Sequence, residues 1–271
     1  MDKTINISYT SISHFLHCRR DFTLYKDNWR SIETAPALLI GTCVHVGLEN
    51  WDKTKDGELA ISLAITKLDD ELKKSGESER TDRESIEDTI YRSLAGYFIT
   101  YENNHIKYIS LETTIEVPLI NGVNYVARID GIIESGSETL VLERKTSGVS
   151  PSTFWPAYDM DFQTLGYLWA SQVKFNTPIS GVMVDLIVKP KKTNEASYDR
   201  RYFYPSKEQR DIFLMDLIEI ASEIKEAYEK ERFYKSYQCT GRYGKCEYFD
   251  FCSSGDNERV LEMTHRKGIL R

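Results

Sequence analysis

The segment RIDGIIESGSETLVLERKTSG, residues 128–148, decides how this chain is read. Its apolar runs lie on either side of a Gly136-Ser137 turn signal, so it reads as the end of one strand and the whole of the next. Asp130 then stands at the end of the first strand and Glu143-Arg144-Lys145 at the end of the second. Adjacent antiparallel strands can bring two carboxylates and one ammonium together. An isolated Glu-x-Lys is common by chance and is usually a solvated strand edge. Here it follows Leu140-Val141-Leu142, so the charged run would enter a buried face unless something compensated it.

Towards the N-terminus the period of two continues. Ile109, Leu111, Thr113, Ile115 and Val117 alternate, Asn121-Gly122 is a strong hairpin signal, and Val123, Tyr125, Ala127 and Ile129 form the returning strand. Before Ile106 the spacing is helical. Ser11 opens a helix with Ile12, Phe15, Leu16 and Phe22, and a second runs from about Leu38 to Trp51 with Val44, Leu48 and Trp51 on one stripe. Two more carry Ile61, Ile65, Leu68 and Leu72, then Ile86, Ile90, Leu94 and Phe98, with a polar loop from Lys73 to Arg83 between them. Beyond the decisive segment the pattern predicts a helix around Asp159 to Val173, a strand Ile179 to Val188 and a basic loop. A short strand at Tyr202 to Tyr204 follows. Ser206 with Gln209 resembles a capping box and opens a long helix to about Arg232. The tail after it is rich in Tyr and Cys and has no regular period. Without internal repeats or a linker, residues 1–271 read as a single α/β unit: a helical region 1–105, a core 106–205, and a helix and cysteine-rich tail 206–271.

Composition sets the class. At 271 residues with 41% hydrophobic residues the chain can bury a sizeable core. No apolar run approaches the roughly 20 residues of a membrane span, and the N-terminus has no apolar signal core, so the expected location is the cytoplasm. A formal charge of −7 argues against a general nucleic-acid coat protein. It leaves a nuclease open, because a local groove makes the phosphate contacts and acidic metal ligands add negative charge of their own.

Asp130, Glu143 and Lys145 are suited to phosphodiester hydrolysis. Carboxylates are the oxygen ligands that Mg²⁺ or Mn²⁺ requires, and a lysine can orient or deprotonate the attacking water. In Gly41-Thr42-Cys43-Val44-His45-Val46-Gly47-Leu48-Glu49, His45 and Glu49 share one helical face, and the glycines allow close approach. Gln163 and Tyr167 form a second pair four residues apart.

Taken in order, Gly-x-x-x-His-x-x-Leu-Glu, Ile-Asp-Gly, Glu-x-Lys-Thr and Gln-x-x-x-Tyr resemble the PD-(D/E)XK nucleases of the RecB type. That group includes the CRISPR adaptation nuclease and phage exonucleases. The resemblance covers about residues 10–255. It implies a restriction-endonuclease-like core, a central mixed sheet flanked by helices, with the N-terminal helical region and a C-terminal cluster segment added. It implies His45, Asp130, Glu143 and the main-chain carbonyl of Arg144 as metal ligands, Lys145 as the catalytic lysine, and Gln163 with Tyr167 as residues contacting DNA or supporting the site. Arg144 departs from the family, which usually has an aromatic or apolar residue there, and Glu143 is less common than Asp.

Cys18 precedes this core, and Cys239, Cys246 and Cys252 follow it in CTGRYGKCEYFDFC. Their spacing lacks the close pairs of zinc fingers and leaves reduced thiols, zinc and an iron–sulfur cluster as readings. The resemblance implies a [4Fe–4S] cluster on these four. Cys43 is expected to be a small core residue. Lys189, Lys191, Lys192, Arg200, Arg201, Arg19, Arg20 and Lys26 are candidate phosphate contacts, with Trp155, Tyr158 or Tyr167 stacking on unpaired bases. The expected function is a metal-dependent DNA exonuclease acting on ends or single strands, with recombination or CRISPR adaptation proteins as partners. The rival is a noncatalytic nucleic-acid or partner-binding protein on the same fold.

Overall fold

A computed structural model of the chain describes residues 4–77, 79–104, 106–158, 161–241 and 244–268. In chain order the elements are β1 (Ile5–Ile7), α1 (Tyr9–His17), α2 (Arg19–Lys26), β2 (Trp29–Ser31), α3 (Pro36–Thr54), α4 (Gly57–Ser75) and α5 (Arg83–Thr100). Then come β3 (Lys107–Ile120), β4 (Val123–Ser135), β5 (Glu138–Ser147), α6 (Pro151–Tyr158), α7 (Phe162–Phe175), β6 (Gly181–Val188), β7 (Ser197–Phe203) and α8 (Lys207–Glu229). The tail holds β8 (Thr240–Gly241), β9 (Gly244–Lys245), α9 (Phe249–Ser253), α10 (Glu258–Thr264) and β10 (His265–Lys267). The described chain groups into two compact units, one of residues 1–33, 116–126 and 211–271, the other of 34–115 and 127–210.

The larger unit holds the sheet order β4-β5-β6-β7. β4 and β5 pair antiparallel with Gly131 opposite Leu142, β5 and β6 are parallel, and β6 and β7 antiparallel, so the sheet is mixed, as expected. A parallel neighbour needs a crossover, which α6 and α7 provide between β5 and β6. The helix expected around Asp159 begins at Phe162, capped by the Asp161 side chain, which accepts from the Thr164 N–H; Asp159 and Met160 lie outside the described residues, and the sequence pattern does not announce α6. Helices α3, α4 and α5 close a core of Leu39, Val44, Leu48, Leu68, Leu72, Ile90 and Leu94. In α4 the innermost stripe is Ala60, Ala64, Leu68 and Leu72, while Ile61 and Ile65 pack at its side. Small residues let the three helices approach, and the branched ones fill the flank.

β3 corrects the uniform alternation read from the sequence. Tyr108 and Ser110 face inward before Glu112, and Ile115 and Val117 are fully buried after it, leaving Ile109 half exposed. The inward phase slips by one residue at Glu112, whose φ is 44°. A left-handed residue in a strand is the signature of a bulge, which re-aims the side chains around it.

In the smaller unit β1 runs parallel to Val123–Tyr125 of β4, and β2 pairs antiparallel with β10. The first helix is broken: Cys18 is extended, φ −162° and ψ 124°, between α1 and α2, and so lies outside any helix. Leu16 points outward, while Phe15 and Phe22 are buried. Phe22 packs on Tyr228 and Phe233, 6.0 and 6.1 Å between ring centres. The capping box at Ser206 forms, with Ser206 N–H donating to Gln209 Oε1 at 2.8 Å and Gln209 N–H to Ser206 Oγ at 3.2 Å. No described helix is long and apolar enough to cross a membrane.

Candidate active site

β5 enters the interior carrying three consecutive charges, and the surroundings answer each one. Glu143 is 4% exposed and pairs with Lys145, Oε1 to Nζ 2.5 Å. Lys145 Nζ also donates to Gln163 Oε1 at 2.6 Å, and Gln163 Nε2 donates to Tyr167 Oη at 2.6 Å. Gln163 and Tyr167 lie one turn apart on α7, so that helix presents a short polar chain to the lysine. Asp130 of β4 is held from two sides. His45 Nδ1 of α3 lies 3.1 Å from Oδ1, and the main-chain N–H of Arg144 donates to Oδ2 at 2.6 Å. The glycines of α3 do what their positions suggest: a Cβ on Gly41 would stand 3.2 Å from Thr146 Oγ1 of β5, and one on Gly47 2.5 Å from Leu94.

Electrostatics follow from burial. Desolvation pushes Glu143 up to about 7 in spite of Lys145. Burial opposes the charged forms of His45, Asp130 and Lys145, but their partners outweigh it, so His45 and Lys145 rise and Asp130 falls. Glu112 rises through burial and the repulsion of Asp130. Sequence reasoning missed Glu112, although its ligand atom and those of His45 and Asp130 all lie within 4.8 Å of one another. Only the slip of phase in β3 directs it there, and no residue spacing reveals that slip.

The family model of the PD-(D/E)XK nuclease superfamily matches residues 6–253. The chain belongs to this superfamily. Among solved structures it is similar to a protein of Eubacterium rectale named "Putative exonuclease", at 11% identity over 92% of this chain and 87% of that one, with a TM-score of 0.53. SSO0001 matches at 13% identity over 88% and 83%, with a TM-score of 0.35. At such identities the first likeness shows the fold, and the second carries no weight. No curated protein matches the sequence. Nuclease chemistry on nucleic acid is the general function of the PD-(D/E)XK superfamily.

Arg144, the departure from the usual PD-(D/E)XK pattern, is 3% exposed, and a carboxylate of the protein neutralises it. Its Nη2 lies 2.6 Å from Asp52 Oδ2 on α3, and Tyr108 Oη donates to Asp52 Oδ1 at 2.6 Å. Across the sheet Arg144 stands opposite Asp185, and Asp185 opposite Arg200, a row of alternating charge. Arg200 binds Asp185 through Nε and Nη2 at 2.5 and 2.8 Å, and Tyr97 Oη donates to the same carboxylate at 2.5 Å. Arg200 is thereby removed from the candidate phosphate contacts. Arg19 and Arg20 pair with Glu223 and Asp256, and Lys26 donates to the Asn6 carbonyl. Lys191 and Lys192 are exposed. The expected stacking residues are core: Trp155, Tyr158 and Tyr167 are 2%, 5% and 8% exposed, and Trp155 Nε1 donates to Asp199 at 2.7 Å. Bases cannot reach those ring faces in this arrangement.

In the smaller unit Cys18, Cys239, Cys246 and Cys252 line one small cavity together with His17 and Asp21. Ser236 N–H donates to Cys18 Sγ at 3.4 Å, and Cys246 N–H to the Cys239 carbonyl at 2.8 Å. Burial pushes Cys246 up to about 11 and raises Cys252, which favours the neutral thiol of each. Cys43 is fully buried on α3, and burial pushes its thiol up to about 12.

Removing Arg144 alone leaves the buried Asp52 carboxylate with only the Tyr108 hydroxyl and the exposed Lys55, 3.9 Å away, to answer its charge. Arg144→Met should therefore cost about 3–5 kcal/mol in urea unfolding. Adding Asp52→Asn, which still accepts from Tyr108, should restore at least about half of that loss. Additive losses in the double variant would show that the pair carries no coupling.

Proposed function

We propose that this chain is a metal-dependent deoxyribonuclease, an exonuclease that hydrolyses phosphodiester bonds at DNA ends or in single strands. Recombination, replication or CRISPR adaptation, in the cytoplasm of a bacterial, archaeal or phage-infected cell, is the setting we infer, with proteins of those processes as partners. The chain would act as a single nuclease. The observation that carries the reading is the placement of the Lys145 ammonium between Glu143 Oε1 and Gln163 Oε1, on the strand whose backbone holds Asp130.

His45, Asp130 and Glu143 supply the nitrogen and oxygen donors that Mg²⁺ or Mn²⁺ takes, and the Arg144 carbonyl is a further candidate. When bound, the metal polarises the phosphate and lowers the pKa of the attacking water. Lys145 has the reach to orient that water and to offset charge developing on the phosphate. Gln163 fixes the ammonium against rotation away from Glu143, and Tyr167 fixes Gln163. Of the candidate phosphate contacts, Lys191 and Lys192 are exposed and could meet a nucleic-acid backbone.

We also infer that Cys18, Cys239, Cys246 and Cys252 hold a [4Fe–4S] cluster with a structural role, the hydrolytic site having no use for electrons. The shared cavity supports this. A second reading has its own observation: His17, Asp21 and Cys246 put three donor atoms within 4.8 Å of one another, a set that one zinc ion would accept.

Anaerobically purified protein should degrade end-labelled single- or double-stranded DNA with Mg²⁺ or Mn²⁺ and not with EDTA. Lys145→Ala should lose at least about 100-fold in rate while keeping its fold by circular dichroism. Full activity in that variant, or none in the wild type with any divalent metal, would remove the assignment. The same preparation should contain iron and sulfide. Alanine at Cys18, Cys239, Cys246 or Cys252 should remove the iron, and Cys43→Ala should retain it. Stoichiometric zinc without iron would replace the cluster by the zinc reading.

A further inference from the structure

Between β6 and β7 the chain reads Lys189-Pro190-Lys191-Lys192-Thr193-Asn194-Glu195. Runs of lysine are usually solvated faces. This one has a fixed shape. Pro190 is buried, and Lys191 and Asn194 bridge each other across the Lys192-Thr193 turn. Lys191 N–H donates to the Asn194 carbonyl at 3.0 Å, and Asn194 N–H to the Lys191 carbonyl at 3.3 Å. We propose that this hairpin is a subsite for the phosphate backbone of a nucleic-acid strand, seated beyond the nucleotide under attack, so that the chain grips a polymer and not a short fragment. The proposal deepens the nuclease reading and rests on it for the identity of the polymer.

Three observations carry it. The first is place. Lys189 N–H donates to the Ser147 carbonyl at 2.8 Å, and Lys145 stands opposite Leu186, so the hairpin leaves the sheet where β5 ends, just past Lys145. At the rise of a strand this is a step of about 7 Å. The second is rigidity. From α5, Arg92 Nη1 and Nη2 donate to the Lys191 and Asn194 carbonyls at 3.4 and 3.1 Å, and Nε donates to Glu195 Oε2 at 3.2 Å. Tyr198 Oη, at the start of β7, donates to the Ser93 carbonyl at 3.0 Å, an approach that a side chain on Gly96 would block. A hairpin held this way gives up little freedom when a ligand arrives. The third is unanswered charge. Among the described residues no ion pair reaches Lys189, Lys191 or Lys192, while Glu195, the acid beside them, is taken by Arg92. Lys191 and Lys192 are exposed; Lys189 is half-buried, and burial lowers its pKa with no neighbouring carboxylate to oppose the shift. Elsewhere Arg19, Arg20 and Arg200 are paired with acids. Ammonium groups left together repel, and a row of phosphates relieves that repulsion while releasing its own counterions.

The test is the salt dependence of DNA binding by full-length protein in EDTA, read as the fluorescence anisotropy of a labelled oligothymidylate of about 30 nucleotides against potassium chloride. Lys189→Gln, Lys191→Gln and Lys192→Gln combined should weaken binding at low salt at least about tenfold. The same variant should flatten the slope of log K on log salt by about 2, the share of three single-strand phosphate contacts. If it does not fold, Lys191→Gln with Lys192→Gln, both on the surface, should flatten the slope by about 1.4. Gln at Lys74, Lys107 and Lys230, which pair with Glu71, Glu134 and Glu226, removes the same charge and should leave the slope unchanged. A wild-type slope in the folded hairpin variant, an equal loss in both sets, or no binding by the wild type overturns the proposal. A wild type that binds through the hairpin yet cuts no DNA with any divalent metal would leave the subsite standing and remove the nuclease reading. Cleavage by the wild type, with the slope unchanged in the hairpin variant, would do the reverse.

Discussion

A buried charge must be answered, and in this molecule β5 brings Glu143 and Arg144 into the interior with the part-exposed Lys145 next in line. Desolvating any one of them costs several kcal/mol, more than a single surface ion pair returns. The solution is to sort them. Glu143 and Lys145 neutralise each other on the strand itself, and Arg144 is passed to Asp52 and to the row that continues through Asp185 and Arg200. Once these partners are fixed, α3 is tied to β5 through Asp52 and α7 through Gln163, while β3 holds Asp52 through Tyr108, and α5 and β7 hold Asp185 of β6, the parallel neighbour of β5.

The same contacts connect stability with chemistry. Helix α3 carries both His45, which meets Asp130, and Asp52, which meets Arg144, seven residues apart. Arg144 in turn gives its main-chain N–H to Asp130. Neutralising the arginine therefore sets the position of the helix that presents the histidine, and the backbone around the arginine sets the carboxylate that the histidine meets. A preorganised set of donors follows from packing that the fold already needs.

Much of this was legible in the sequence because local chemistry announced it. The Asn121-Gly122 hairpin, the strand leading to Glu143, the helix of Gly41 and Gly47 against Thr146 and Leu94, and the Ser206 capping box all rest on interactions within a few residues or on one period. What was not legible depends on tertiary pairing. The bulge at Glu112 is a departure from a period and has no residue signature, so Ile109 was placed on the wrong face and Glu112 was overlooked. Asp52 looks like any helix acid until Arg144 is beside it. Trp155 and Tyr158 look like stacking platforms until their rings are seen packed on Phe203, 5.9 and 5.3 Å between centres. The break between α1 and α2 falls at Cys18, where helical spacing runs on but the backbone does not.

The central claim is that His45, Asp130 and Glu143 hold a divalent cation beside the β5 lysine. The most direct measurement is crystallography of Mn²⁺-soaked protein, with anomalous scattering recorded at the manganese edge. The account predicts an anomalous peak within about 2.0–2.6 Å of carboxylate oxygens of Asp130 and Glu143 and of an imidazole nitrogen of His45. Manganese bound elsewhere, with these side chains still paired only to one another, would contradict it.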